Sequence, residues 1–161
     1  MLINNIKIES SITNIKKFDV KDYENKYEVT KKVLKLLKEK YLSTNEIVKQ
    51  IINLDTGMKI EIRQKGIRET FGNDKYYKNL PLEIKKAKIA TMEYLAKMIK
   101  YGKVRSQEAK NYHDINSKVI YAYLESSIYI DHICYIVNID IRKSPKGDNR
   151  FYIHSLSVKR S

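Results

Sequence analysis

Three histidines, His113, His132 and His154, can exchange a proton near neutral pH. Their spacings match no zinc motif, and a lone Cys134 excludes an internal disulfide framework and a cysteine-based cluster, so neither a metal nor a cofactor is expected. His113 follows a long apolar-periodic stretch and His154 lies in the last strand-like segment, which makes them the better acid–base pair. A helix cap or a buried, hydrogen-bonded histidine is the competing reading at each. His132, between Asp131 and Ile133 at a tight strand connection, reads as a structural or surface residue. Lys65 and Arg68 are three apart, so a helical turn sets both on one side, with Gly66 allowing the backbone to approach a phosphate. Arg68 can grip two oxygens with its fork, whereas Lys65 offers a point charge; a solvated basic surface is the plain alternative. Thr70, Tyr152 and Ser155 could donate to a nonbridging oxygen. These residue types suit proton transfer beside a bound phosphate.

The elements that must hold these residues follow from hydropathy periods and turn residues. Tyr23, Tyr27, Val33, Leu34, Leu36, Leu37 and Tyr41 recur at helical spacing between Asp22 and Tyr41. Ser43-Thr44-Asn45-Glu46 reads as a capping box for a second helix carrying Ile47, Val48, Ile51 and Ile52, which stops near Asp55-Thr56-Gly57. Met58–Arg63 alternates as a half-buried strand does, and Gln64–Gly72 reads as a turn leading into one helical turn. Pro81 opens the clearest helix, which runs without a breaker to Gly102. Three strands follow, Val119–Ile130, His132–Arg142 and Arg150–Val158, the last two joined by a Pro-, Gly- and Asn-containing loop over 143–149. Residues 1–20 fit a short strand, an amphipathic segment or a partly ordered lead. The expected class is α+β: N-terminal helices, then a roughly four-stranded antiparallel sheet packed on the long helix. Residues 1–55 form a helical extension or brace, and 56–161 the α+β domain.

Strand parity divides the sheet into two faces. Ile120, Ala122 and Leu124 oppose Val119, Tyr121, Tyr123 and Glu125; Tyr135, Val137, Ile139 and Ile141 oppose Ile136, Asn138, Asp140 and Arg142. The apolar sets belong on the helix. The last strand is ambiguous, because Leu156 and Val158 share the parity of Tyr152 and His154. An outer face bearing Tyr121, Tyr123 and Arg142 suits RNA, whose bases stack on tyrosine and whose phosphates meet cations. The 13 tyrosines also fit an ordinary core.

Composition sets the outer bounds. In 161 residues, 32 Lys and Arg against 19 Asp and Glu give a net charge of +13, spread over both halves, which points to a polyanionic partner or to compositional bias. Apolar residues at 42% with five Gly and two Pro describe a chain that folds. No signal peptide and no membrane span is visible, so a soluble protein, or a soluble piece of a larger chain, is expected.

The run Met58–Ile62, then Lys65-Gly66-Ile67-Arg68-Glu69-Thr70, the long helix, Tyr112-His113 and Phe151-Tyr152-Ile153-His154-Ser155 resembles the barnase–EndoU–colicin E5/D–RelE group of nuclease domains. The versions it is most similar to stand at the ends of phage and mobile-element polyvalent proteins and of polymorphic toxins. The resemblance covers roughly the last hundred residues. It implies a metal-independent endoribonuclease that uses the ribose 2′-hydroxyl as nucleophile and leaves a 2′,3′-cyclic phosphate. It also implies a toxin or effector held by an immunity protein or antitoxin. Its site of action is cytoplasmic, after delivery or release from a larger bacterial or phage protein. Such chemistry needs a base, an acid and positive charge against the transition-state oxygens. Here those roles fall to His154 and His113, with Lys65 and Arg68 on phosphate and Thr70, Tyr152 and Ser155 in support. RNA, tRNA among the candidates, would lie along Lys65, Arg68, Tyr121, Tyr123 and Arg142. Two other readings stay open: a catalytically silent nucleic-acid-binding module, and a structural or interaction domain of a phage-like particle.

Overall fold

Asn25 opens the first helix by accepting from the amides of Tyr27 and Glu28, and α1 (Lys26–Tyr41) buries Val29, Val33 and Leu37 on one stripe. Leu42 closes it in the left-handed region, with the Ser43 amide returning to the Lys38 carbonyl. The computed structural model describes residues 8–10, 24–72, 77–111, 118–143 and 150–161. His113 and the loop residues 144–149 lie outside that set.

The second helix expected after Ser43 is instead a strand, β2 (Ile47–Ile52). The hydroxyl of Ser43 donates to the Ile47 carbonyl rather than capping an amide. The β-branched Ile47-Val48 and Ile51-Ile52 pairs suit a pleated surface, and pairing with β3 (Lys59–Arg63) overrides the local capping signal. Next, α2 (Gln64–Gly72) is a full nine-residue helix rather than a single turn. The long helix starts after Pro81 as expected but breaks at Tyr94 into α3 (Leu82–Glu93) and α4 (Leu95–Tyr101). At the break the Glu93 carbonyl is taken by Lys40 Nζ of α1.

One further strand of the main sheet escaped the sequence pattern: β4 (Lys103–Asn111) pairs antiparallel with β5 (Lys118–Ile130). The rest are β6 (Ile133–Lys143), β7 (Phe151–Arg160) and a short β1 (Ile8–Ser10). Among the described residues the sheet is therefore seven-stranded and mixed, not four-stranded and antiparallel. Its order is β1-β5-β6-β7-β3-β2, with β4 also on β5, and both β1–β5 and β3–β7 run parallel. In β3, which lies between β2 and β7, the central residues Ile60, Glu61 and Ile62 are buried on both faces, whereas Lys59 is exposed. Asp131 and His132 form the β5–β6 turn with φ of 49° and 69°, the pair of positive values that a type I′ hairpin requires.

The core lies between the helices and one sheet face. Leu95, Met98 and Ile99 meet Leu124, Val137, Ile139 and Ile141, all fully buried, and α1 and β2 contribute Val29, Val33, Leu37, Val48 and Ile51 to the same cluster. A cation is buried among them. Lys88 Nζ donates to the Thr70 carbonyl at 2.8 Å near the end of α2, and burial lowers its pKa from 10.5 to about 8. As pH rises through 8 the folded chain gives up this proton while the unfolded chain still holds its own, so stability should rise with pH toward 10. Denaturant titrations across that window should show the gain, and Lys88→Met should abolish it. Above pH 10 Tyr135 works the other way, since burial and its bond to Glu83 raise its hydroxyl to about 12.

Candidate active site

The ambiguity of the last strand resolves at its histidine. Ile141 faces Ile153 and Asp140 faces Ser155, so His154 is the extra residue of a β-bulge, two residues of β7 against one of β6. Before the bulge Ile153 points inward; after it Leu156 and Val158 do. His154 thus stays with Tyr152 on the polar side.

Where β3 ends at Arg63 the chain turns into α2, while β7 runs on past it. The first turn of α2 covers that edge. Gly66 fits because it lacks a side chain: a Cβ there would lie 2.3 Å from the Ile153 carbonyl oxygen and 3.6 Å from that of His154. Thr70, one turn on, donates to the Gly66 carbonyl at 2.8 Å and accepts the Leu156 amide at 3.2 Å. The glycine therefore serves close packing of helix on strand.

These elements leave a shallow cavity of about 140 Å³ lined by Arg63, Lys65, Gly66, Arg142, Tyr152, Ile153 and His154. Burial, followed by the charge of Arg142 and then of Lys65, holds the His154 imidazole below its ordinary value of 6.5, while Asp140 and Glu69 pull it upward. At pH 7 the ring is neutral and can accept a proton. Arg142 stands in register with Tyr152, and its Nη2 donates to Asp140 Oδ2 at 3.4 Å. Asp140 Oδ1 is buried and accepts no hydrogen bond among the described residues. On the other flank the Arg63 guanidinium lies over the Tyr152 ring, 4.3 Å from its centroid. Arg63 Nε and Nη2 both donate to Glu61 Oε1, at 3.1 and 2.7 Å.

Four of the residues singled out in the sequence meet here: His154, Lys65, Tyr152 and Arg142. Others do not line the cavity. Arg68 is exposed and turned toward Gln64 Oε1 (3.0 Å) and Glu46 (3.8 Å). The hydroxyl of Thr70 is spent on backbone groups, and Ser155 sits half-buried opposite Asp140. Tyr123 is exposed and in register with Asp140; Tyr121 is in register with Arg142, and its side chain, like His113, lies outside the described residues. Arg63 was missed, although the alternation of Met58–Arg63 already sets it opposite the apolar Met58, Ile60 and Ile62.

The model of the family described as "Large polyvalent protein-associated domain 3" matches residues 24–152, from the residue before the α1 cap to Tyr152. The chain belongs to this family. The polyvalent-protein domain so defined contains Arg63, Lys65, Gly66, Arg142 and Tyr152, and the match ends two residues before His154. Its name places it among parts of large polyvalent proteins, in keeping with the polyvalent-protein side of the sequence resemblance. No curated protein and no solved structure matches the domain. Among the described residues, no helix of the domain is long and apolar enough to cross a membrane.

Proposed function

We propose that the domain is an endoribonuclease that cleaves RNA by transesterification at the His154 cavity. One observation carries this reading: a bulge seats a neutral histidine in a cavity whose other lining residues include Lys65, Arg142 and Arg63. A phosphodiester drawn in by the cations places its 2′-hydroxyl beside a group able to take the proton. The 2′-oxygen attacks phosphorus as its proton passes to His154, the bond to the 5′-oxygen breaks, that oxygen takes a proton from solvent, and a 2′,3′-cyclic phosphate and a 5′-hydroxyl result. Lys65 and Arg142 oppose the charge that grows on the nonbridging oxygens, and the donors are already in place, so little reorganisation is needed. Asp140, with its unpartnered Oδ1 opposite the bulge, steadies the imidazolium once formed. In this scheme Lys65 and Arg142 carry the charge stabilisation at the scissile phosphate, and the proposed chemistry uses no metal. An immunity protein or antitoxin over this cavity, and release from a larger polyvalent protein, belong to the same proposal.

The purified 161-residue chain incubated with total RNA in EDTA tests the reading, and 2′,3′-cyclic phosphate ends are the expected product. Affinity for single-stranded RNA should fall steeply with salt, since each neutralised phosphate contributes a slope of about −0.7 in log K against log salt. Salt-dependent binding without cleavage would identify a silent RNA-binding module, and the absence of both would leave an interaction domain.

A further inference from the structure

The cavity has two cationic flanks, and the reading above uses only one. Across the sheet the order is β3, β7, β6, with Glu61, Tyr152 and Arg142 in one register row. Arg142 thus lies to one side of Tyr152, and the Arg63 side chain reaches over its ring from β3 on the other, β3 and β6 being two strand spacings or about 10 Å apart. The Arg63 side is built from beneath. Glu61, only 3% exposed, accepts from Arg63 and also takes Arg150 Nε and Nη2 on its two oxygens at 3.0 to 3.3 Å. A buried carboxylate is tolerable only when paired in this way, and the pairing fixes the plane of the Arg63 fork. With Nε and Nη2 on Glu61 and the ring of Tyr152 against its face, Arg63 keeps Nη1 without a partner among the described residues.

We infer that Arg63 forms a second phosphate subsite, one nucleotide from the scissile phosphate held at His154, Lys65 and Arg142, with Glu61 as its positioning residue. The inference rests on the endoribonuclease reading for the nature of its ligand, a single RNA strand. Tyr152 separates the two phosphates, and an extended dinucleotide step spans the distance between the flanks. A preset guanidinium in this place favours a phosphate oxygen over a base edge, because its positive charge meets an anion there and, with Nε and Nη2 held by Glu61, it lacks the two-pronged fork that reads a guanine edge. Lys65, the exposed residue in the first turn of α2, has no such clamp among the described residues.

The test crosses a protein residue with a substrate phosphate. Three dinucleoside monophosphates are compared, one bare, one bearing an added 5′-terminal phosphate and one bearing an added 3′-terminal phosphate. In wild type the added phosphate at one end should raise kcat/KM about tenfold, the scale of one charge-assisted contact at a half-exposed site. Arg63→Ala should erase that gain while still cutting the bare dinucleotide, and Glu61→Gln should erase most of it in wild type yet change nothing further in the Arg63→Ala background. The same comparison is made by binding, with 2′-deoxy versions that cannot be cleaved. If wild type cuts no RNA but the phosphate-dependent gain in affinity vanishes in Arg63→Ala, the subsite stands and the nuclease reading falls. If wild type cuts RNA and the gain survives in folded Arg63→Ala, or is missing at both ends in wild type, the subsite falls and the nuclease reading stands. Should Arg63→Ala not fold, Arg63→Lys keeps the charge without the fork, and an undiminished gain in that variant overturns the preset geometry.

Discussion

The folded His154→Ala protein is expected to cleave RNA about 10²–10⁴-fold more slowly than wild type, the usual contribution of a positioned acid or base. The loss should fall on kcat and leave KM nearly unchanged, because Lys65, Arg142 and Arg63 still line the cavity and bind phosphate without the imidazole. The pH dependence supplies an independent sign. Burial and the neighbouring Arg142 keep the folded pKa of His154 below 6.5, so if the ring acts as base the acid limb of kcat/KM should begin below that value. Asp140→Asn, which removes a charge that favours the imidazolium, should move the limb further down. Stability moves in step. Near pH 6.5 the unfolded chain takes up a proton that the folded chain resists, so the wild-type fold should weaken as pH falls through this range, and His154→Ala should not show that component. Circular dichroism on the assayed sample separates lost chemistry from lost fold. Full cleavage by a folded His154→Ala variant removes the assignment.

Much of the frame was legible because it rests on strong local signals. The helix opened by Pro81, the alternation of Met58–Arg63, and the apolar sets of β5 and β6 each carry a period that burial then obeys: Leu124, Val137, Ile139 and Ile141 are all inward. What failed was decided by pairing between strands, near or far in the chain. Ser43–Glu46 has the spacing of a capping box, yet the isoleucines after it pair with β3 from across a tight turn. Lys103–Asn111 is polar and nearly free of apolar alternation; only its ladder with β5 makes it a strand. The parallel contact of β3 with β7 joins residues some ninety positions apart and leaves no local trace in either segment.

The site was legible in its residue types and only partly in its geometry. Tyr152 and His154 share their parity with the core residues Leu156 and Val158, and that mixture of polar and apolar residues on one nominal face is the signature of the bulge that keeps the histidine on the polar side. Lys65 and Arg68 were paired by helical spacing, and α2 is indeed helical there. Their divergence depends on Glu46 and Gln64, which engage Arg68 at the far side of α2. Glu61 and Arg150 could not be connected from sequence, since a buried carboxylate and a cation 89 residues later become partners only once β7 lies beside β3.

Gly66→Ala is the sharpest test of how that geometry is held. By helix propensity alone an alanine in α2 should stabilise the protein, by about 0.5–1 kcal/mol. Packing opposes it. The new methyl would stand 2.3 Å from the Ile153 carbonyl oxygen, and the neighbour is strand backbone, so no side-chain rotation relieves the contact. Either α2 lifts from the edge of β7 or the bulge distorts, and overpacking of this kind destabilises by about 1–3 kcal/mol. The net should be a lower denaturant midpoint. Gly72→Ala on the same helix gives the propensity effect by itself, because among the described residues nothing lies within 4 Å of its Cβ position, and it should raise the midpoint. The stability loss has a catalytic counterpart. Ile153 and His154 form the strand segment against which Gly66 rests, so a shift of about 1 Å there displaces the imidazole from the reacting atoms and should lower cleavage on the order of 10²-fold even in the fully folded fraction. Trimming the neighbouring side chain with Ile153→Ala should not restore either property, since the obstacle is the carbonyl. A Gly66→Ala protein as stable and as active as Gly72→Ala would mean that α2 does not press on the bulge, and the helix would then have no part in aiming His154.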